Sequence, residues 1–131
     1  MSPATMEAKA QKCKEEIKGL EQIVKKDWKE VCLQEVSVAA EDLYNTFNEF
    51  QMNMAKLEKQ KKDTYQMGLY KCAYGFLVII ENKVNVDFCT FLMNNSLQFR
   101  KLVEHFSKYC TKIERQHNIT LNSERVLSSN G

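Results

Sequence analysis

The sequence predicts an all-α fold: an antiparallel helical bundle of about four long helices, the first two either separated by a turn or continuous. Three observations predict it. Gly and Pro are scarce, with four Gly and one Pro in 131 residues, and a chain so poor in turn formers travels far between reversals. Apolar residues recur at steps of three and four along most of the length, the period of a helix with one buried face. Finally, the one run that reads as a buried strand, Phe76 to Ile80, has no second such run to pair with.

Composition bounds the rest. Apolar residues make up 44% of the chain and charged residues 27%, ordinary usage for a globular domain. A chain of this length buries roughly two-thirds of its unfolded surface. Residues 1–117 therefore read as a single helical-bundle domain, and 118–131 as a flexible polar C-terminal tail.

The first segment opens with Ser2-Pro3, a capping residue followed by a first-turn proline. Met6, Ala10, Cys13, Ile17, Leu20, Val24, Trp28 and Val31 then form a near-heptad, coiled-coil-like stripe. A helix from about residue 3 to 33 would be roughly 45 Å long. The phase then slips to Val36, Ala40, Leu43, Phe47, Phe50, Met54 and Leu57. Such a slip marks either a turn or a stutter in one helix. A turn near Gln34 to Ser37 is favoured, with Ser37 as the cap.

The polar run Glu58 to Asp63 reads as the next turn, with Asp63 or Thr64 capping a third helix. That helix is apolar on more than one face and so central. Gly68 and Gly75 share a face and predict close approach of a neighbour. Asn82 to Asp87 reads as a loop. Asp87 then opens the clearest helix, reaching about Gln116 with Phe88, Phe91, Leu92, Phe99, Leu102, Phe106 and Ile113 on its apolar side. Arg100, Lys101, Lys108 and Lys112 fall on its polar side.

Catalytic signatures are missing from the pattern. His105 and His117 are roughly 18 Å apart along one helix and cannot share a metal. Glu114 and His117 spell a Glu-x-x-His pair, but a di-iron bundle needs two such pairs. There is no phosphate loop or dinucleotide fingerprint. The expectation is accordingly not an enzyme, with no cofactor and no metal. The net charge of +2 is too balanced for a nucleic-acid partner, and no apolar run suits stable membrane insertion. The N-terminal residues lack a basic lead and apolar stretch, so no signal peptide is expected. Five scattered cysteines, Cys13, Cys32, Cys72, Cys89 and Cys110, read as reduced thiols of a cytoplasmic protein.

Function is read by elimination. The expectation is a non-enzymatic protein–protein interaction module, an adaptor or assembly subunit that presents a helical face to a partner or to a second copy. Ile17, Leu20, Val24, Trp28 and Val31 are its candidate partner-binding residues. The alternative is a carrier that holds a lipid or other small apolar ligand between the third and fourth helices, with Phe76, Phe91, Phe99 and Phe106 as its candidate lining.

Overall fold

The computed structural model describes residues 3–26, 28–83 and 86–117. Among them it contains five α-helices and no strand. These are α1 (Pro3–Val24), α2 (Leu33–Met54), α3 (Lys59–Val78), α4 (Val86–Asn95) and α5 (Leu97–Gln116). A short 3-10 turn, Trp28–Glu30, lies between α1 and α2, and α3 runs on into a π-helical turn, Ile79–Lys83. The all-helical prediction holds, with four long helices and one short one added. The tail expected at 118–131 lies outside the described residues.

The predicted stripes are the buried faces. Met6, Ala10, Cys13, Ile17, Leu20 and Val24 of α1 are all buried, as are Val36, Ala40, Leu43, Phe47, Phe50 and Met54 of α2. On α3 the buried set is Leu69, Tyr70, Ala73, Phe76 and Leu77. α5 buries Phe99, Leu102, Val103, Phe106, Tyr109, Cys110 and Ile113 along one side and leaves the other to water. Phe88, Cys89 and Leu92 seat α4 against α5 and the π turn.

Ring contacts tie these faces together. Phe47 lies 4.8 Å from Phe106 and 5.0 Å from Tyr109 between ring centroids. Phe106 reaches Phe76 at 5.7 Å, and Phe76 reaches Phe99 at 6.5 Å. Tilted and edge-on pairs of this kind add to simple burial. Replacing one such buried ring by alanine typically costs about 3–5 kcal/mol, a large part of a domain's total stability.

Cross-helix contacts also fix direction. Thr46 donates to Glu16 at 3.0 Å, and Lys9 pairs with Glu49. Rising numbers on α1 therefore meet falling numbers on α2, so the two are antiparallel. Tyr109 donates to the Gln66 carbonyl at 3.0 Å, and Tyr70 donates to the buried Glu114 carboxylate at 2.7 Å. With Phe76 beside Phe99, this makes α3 and α5 antiparallel too. In contrast, α2 and α5 run parallel: Ser37 is level with Ser96, Tyr44 with His105 and Phe47 with Tyr109. The bundle is thus two antiparallel pairs laid face to face. α2 and α3, although consecutive, touch far less than either touches α1 or α5.

Several boundaries differ from the sequence reading. The turn after α1 comes earlier than Gln34 to Ser37, and α2 begins at Leu33 behind Cys32, whose side chain makes no capping bond. Without a capping residue, nothing in the sequence marked that start. Ser37 instead lies inside α2 and faces Ser96. α3 begins at Lys59, again without a side-chain cap, so Asp63 and Thr64 are helical. Asn82 and Lys83, expected in a loop, belong to the π turn. Gly68 and Gly75 admit no close neighbour: a Cβ at either would meet nothing within 4 Å.

The expected long last helix is broken at Ser96. Ser96 adopts an extended backbone, and its hydroxyl accepts from the Phe99 amide at 3.1 Å, capping α5. The same hydroxyl shares a 2.8 Å hydrogen bond with Ser37 of α2. Ser96 is 1% exposed, so its capping bond is shielded from water, while the bond to half-buried Ser37 is partly so. Ser96→Ala removes the cap and strands the Ser37 hydroxyl, and it should lower unfolding stability by about 1–3 kcal/mol. Urea melts of the two proteins would measure this, and an unchanged midpoint would show that the cap carries no weight.

Candidate functional site

Ile17, Leu20 and Val24 are each no more than 1% exposed and pack within their own chain. α1 lies antiparallel on α2 and also against α3, so its stripe is covered from two sides. This corrects the expectation that those three residues form a partner-binding surface. Val31 is half-buried against the same core. Trp28 belongs to the 3-10 turn, and its side chain lies outside the described residues. Among the candidate ligand-lining rings, Phe76, Phe99 and Phe106 are buried against one another, and Phe91 stands 40% exposed on α4. The four rings are not brought together around a common space. Three fill the core, and neither of the clefts described below is lined by any of them.

What the structure brings together is the seam between α2 and α5. An open cleft of about 410 Å³ runs along it, lined by Glu41 and Tyr44 from α2 and by Leu97, Gln98, Lys101, Glu104, His105 and Lys108 from α5. Because these helices are parallel and level, equal steps along each bring matching turns to the two walls.

His105 forms the floor. Its ring lies 4.8 Å from Tyr44 and meets Phe47 edge-on at 5.3 Å. Its Nε2 is buried without a hydrogen-bond partner. Burial first, and the neighbouring Lys108 second, hold its pKa below the ordinary histidine value. A neutral ring wedged between aromatic faces is poorly placed to act as a proton acceptor for solvent-borne substrate.

The two helices that flank the cleft differ in sign, although the α2 wall itself carries the single acid Glu41, and Asp42 and Glu49 line the cleft between α1 and α2. α2 carries Glu35, Glu41, Asp42 and Glu49 and no basic residue. Its outward ridge reads Val38, Glu41, Asp42, Asn45, Glu49 and Met52, all exposed. α5 carries Arg100, Lys101, Lys108, Lys112 and Arg115 on its exposed side, with Glu104 the one exposed acid. Two exposed apolar side chains, Val38 and Leu97, each 48% exposed, stand at one end of the seam. Among the described residues no ion pair joins Glu41 or Glu104 to Lys101 or Lys108. The overall charge of +2 conceals this segregation, which a count of charge by helix would have exposed.

A second cleft, of about 700 Å³, separates α1 from α2. It contains Glu16, Asp42 and Glu49, yet Glu16 is engaged by Thr46 and Glu49 by Lys9. No group of three or more His, Cys, Asp or Glu suited to a metal ion occurs among the described residues. No described helix is long and apolar enough to cross a membrane.

Cys13, Cys72 and Cys89 offer little nucleophilic character. Burial, helped by Glu16, pushes the Cys13 thiol up to about 12, and burial pushes Cys89 up to about 11. Cys72 is also raised, again chiefly by burial. A thiol kept protonated at neutral pH is a weak attacking group.

No family model, curated protein or solved structure matches this chain.

Two measurements follow from these environments. The unfolded chain protonates its histidine near the ordinary pKa of about 6.5, whereas folded His105 resists the proton. Stability should therefore be greatest above that pH and decline as pH falls below it toward the lowered folded value. His105→Phe should flatten the decline relative to wild type in paired thermal melts, and parallel curves would refute the assignment. In thiol titration of the native protein, exposed Cys32 should react first and Cys72 next. Cys13, Cys89 and Cys110 should wait for denaturant. Native-state labelling of Cys13 at the Cys32 rate would contradict the burial described.

Proposed function

We propose that this protein is a non-enzymatic protein–protein interaction module, an adaptor or assembly subunit, working through the α2–α5 face rather than the α1 stripe. The observation that carries the reading is the pair of oppositely charged ridges flanking one seam, capped at one end by exposed Val38 and Leu97. Glu41 and Lys101, charges of opposite sign on facing walls with no ion pair between them, favour a partner of complementary pattern, which they would both steer and orient. The apolar pair adds non-directional affinity at the end of the seam.

The same pattern speaks against a purely anionic partner. Phosphates drawn to Lys101 and Lys108 would meet Glu41 and Asp42 on the adjoining ridge, so neither a nucleic acid nor an acidic membrane surface suits the whole face. The carrier reading has less support, because its candidate rings are in mutual contact. Five cysteines read as reduced thiols accord with a reducing compartment, and hence a cytoplasmic location.

A photo-reactive phenylalanine analogue at position 97, expressed in the full chain, tests the proposal. Illumination should yield discrete protein adducts, to a second copy or to another protein. The same analogue at Lys61, exposed on α3, serves as the control. Adducts no more frequent at 97 than at 61 would remove the α2–α5 face as the working surface.

A further inference from the structure

Resting on the interaction-module reading, we infer that the occupant of the α2–α5 face is a second copy of this chain, docked about a two-fold axis parallel to the two helices. A closed dimer of identical chains requires one patch that is complementary to itself. Here the acidic and basic ridges lie side by side, so the patch meets that requirement under one orientation. Rotation about an axis lying along the seam places α2 of each copy over α5 of the other. Rotation about an axis across the seam would place α2 over α2, setting Glu41 and Asp42 against their own kind.

The axis along the seam also preserves height, so residues level within one chain meet across the pair. A spacing of 59 residues separates level positions at Ser37 and Ser96. Phe47 and Phe106, in ring contact at 4.8 Å, keep the same spacing. Carried along the exposed ridges, this register sets Val38 on the partner's Leu97. One turn on, Glu41 falls level with the partner's Arg100 and one residue, about 1.5 Å of rise, short of the partner's Lys101. Next, Asn45 meets the partner's Glu104, and Glu49, already engaged by Lys9, meets the partner's Lys108. Apolar meets apolar, acid meets base, and an amide meets a carboxylate, each pair occurring twice. Lys101 and Glu41 have no ion-pair partner among the described residues of their own chain, which leaves both charges for the second copy. The cleft floor at Tyr44 and His105 lies beneath these pairs.

Sedimentation velocity on the full chain between about 1 and 100 µM tests the inference. The expected result is a concentration-dependent dimer at low salt that weakens as added salt shortens the screening length. Glu41→Lys and Lys101→Glu each place like charges in contact twice per dimer. Each should weaken association about tenfold or more while circular dichroism stays helical. An equimolar mixture of the two variants should recover association, because every Lys at 41 then faces a Glu at 101, and every Lys at 101 faces a Glu at 41. A wild-type chain that stays monomeric throughout overturns the inference. So does a dimer indifferent to either reversal, or a mixture that fails to recover. A monomer that still gives position-97 adducts with another protein sinks self-docking while leaving the interaction-module reading in place.

Discussion

Phe47 inserts from α2 against Phe106 and Tyr109 of α5, and that contact sets the height of one helix on the other. Other features of the molecule inherit this register. It brings Ser37 level with Ser96, so that one hydroxyl can cap α5 and still bind α2. It lays Tyr44 over His105 and so roofs the cleft floor. It aligns the acidic ridge with the basic ridge turn for turn. A slip of one helical turn, about 5.4 Å, would separate both serines from their bond and offset every charge across the seam. Because Phe106 also bears on Phe76, the register extends to α3.

The separation of roles between faces follows from amphipathic helices. The apolar stripes are used up inside the bundle, including the α1 stripe that looked suited to a partner. What remains outside is mainly polar, and its information lies in the arrangement of charge. His105 stands at the boundary: a polar group drawn into an aromatic setting, kept neutral by burial and by Lys108. Tyr70 and Glu114 form a further buried polar contact, joining α3 to α5. Such contacts contribute modest net energy but penalise wrong registers, because a mismatched polar group would be left dry and unpaired.

The helices were legible because their apolar residues are periodic, and Leu43, Phe47, Phe50, Phe99 and Phe106 all fall where the period places them. The boundaries were less so. Cys32 and Glu58 precede helices without offering a capping bond, whereas Ser96 does cap but interrupts a stripe that stays nearly in phase through Leu92 and Phe99. The candidate interface was written in the sequence as Glu35, Glu41, Asp42 and Glu49 against Lys101, Lys108, Lys112 and Arg115. Reading it as a face needed the parallel, level packing of α2 on α5, a contact between residues about sixty positions apart that no local pattern encodes. The α1 stripe misled for the complementary reason: periodicity tells that a face is covered and is silent on whether the cover is the same chain.

The diagonal relation of α2 and α3 bears on how the molecule reaches this state. α1 with α2 is a helical hairpin and α3 with α5 an antiparallel pair bridged by the π turn and α4, while the surface joining the two pairs is built from residues more distant in sequence. Local hairpins form early, since little loop entropy opposes them. Assembly then becomes a meeting of two half-units through the short turn between Met54 and Lys59. A half-unit exposes the aromatic seam that its sister half should cover, and in a crowded mixture another molecule's half offers the same seam. The topology thus carries an intrinsic route to exchange of one helix pair for another between molecules, a domain swap whose hinge is that four-residue turn.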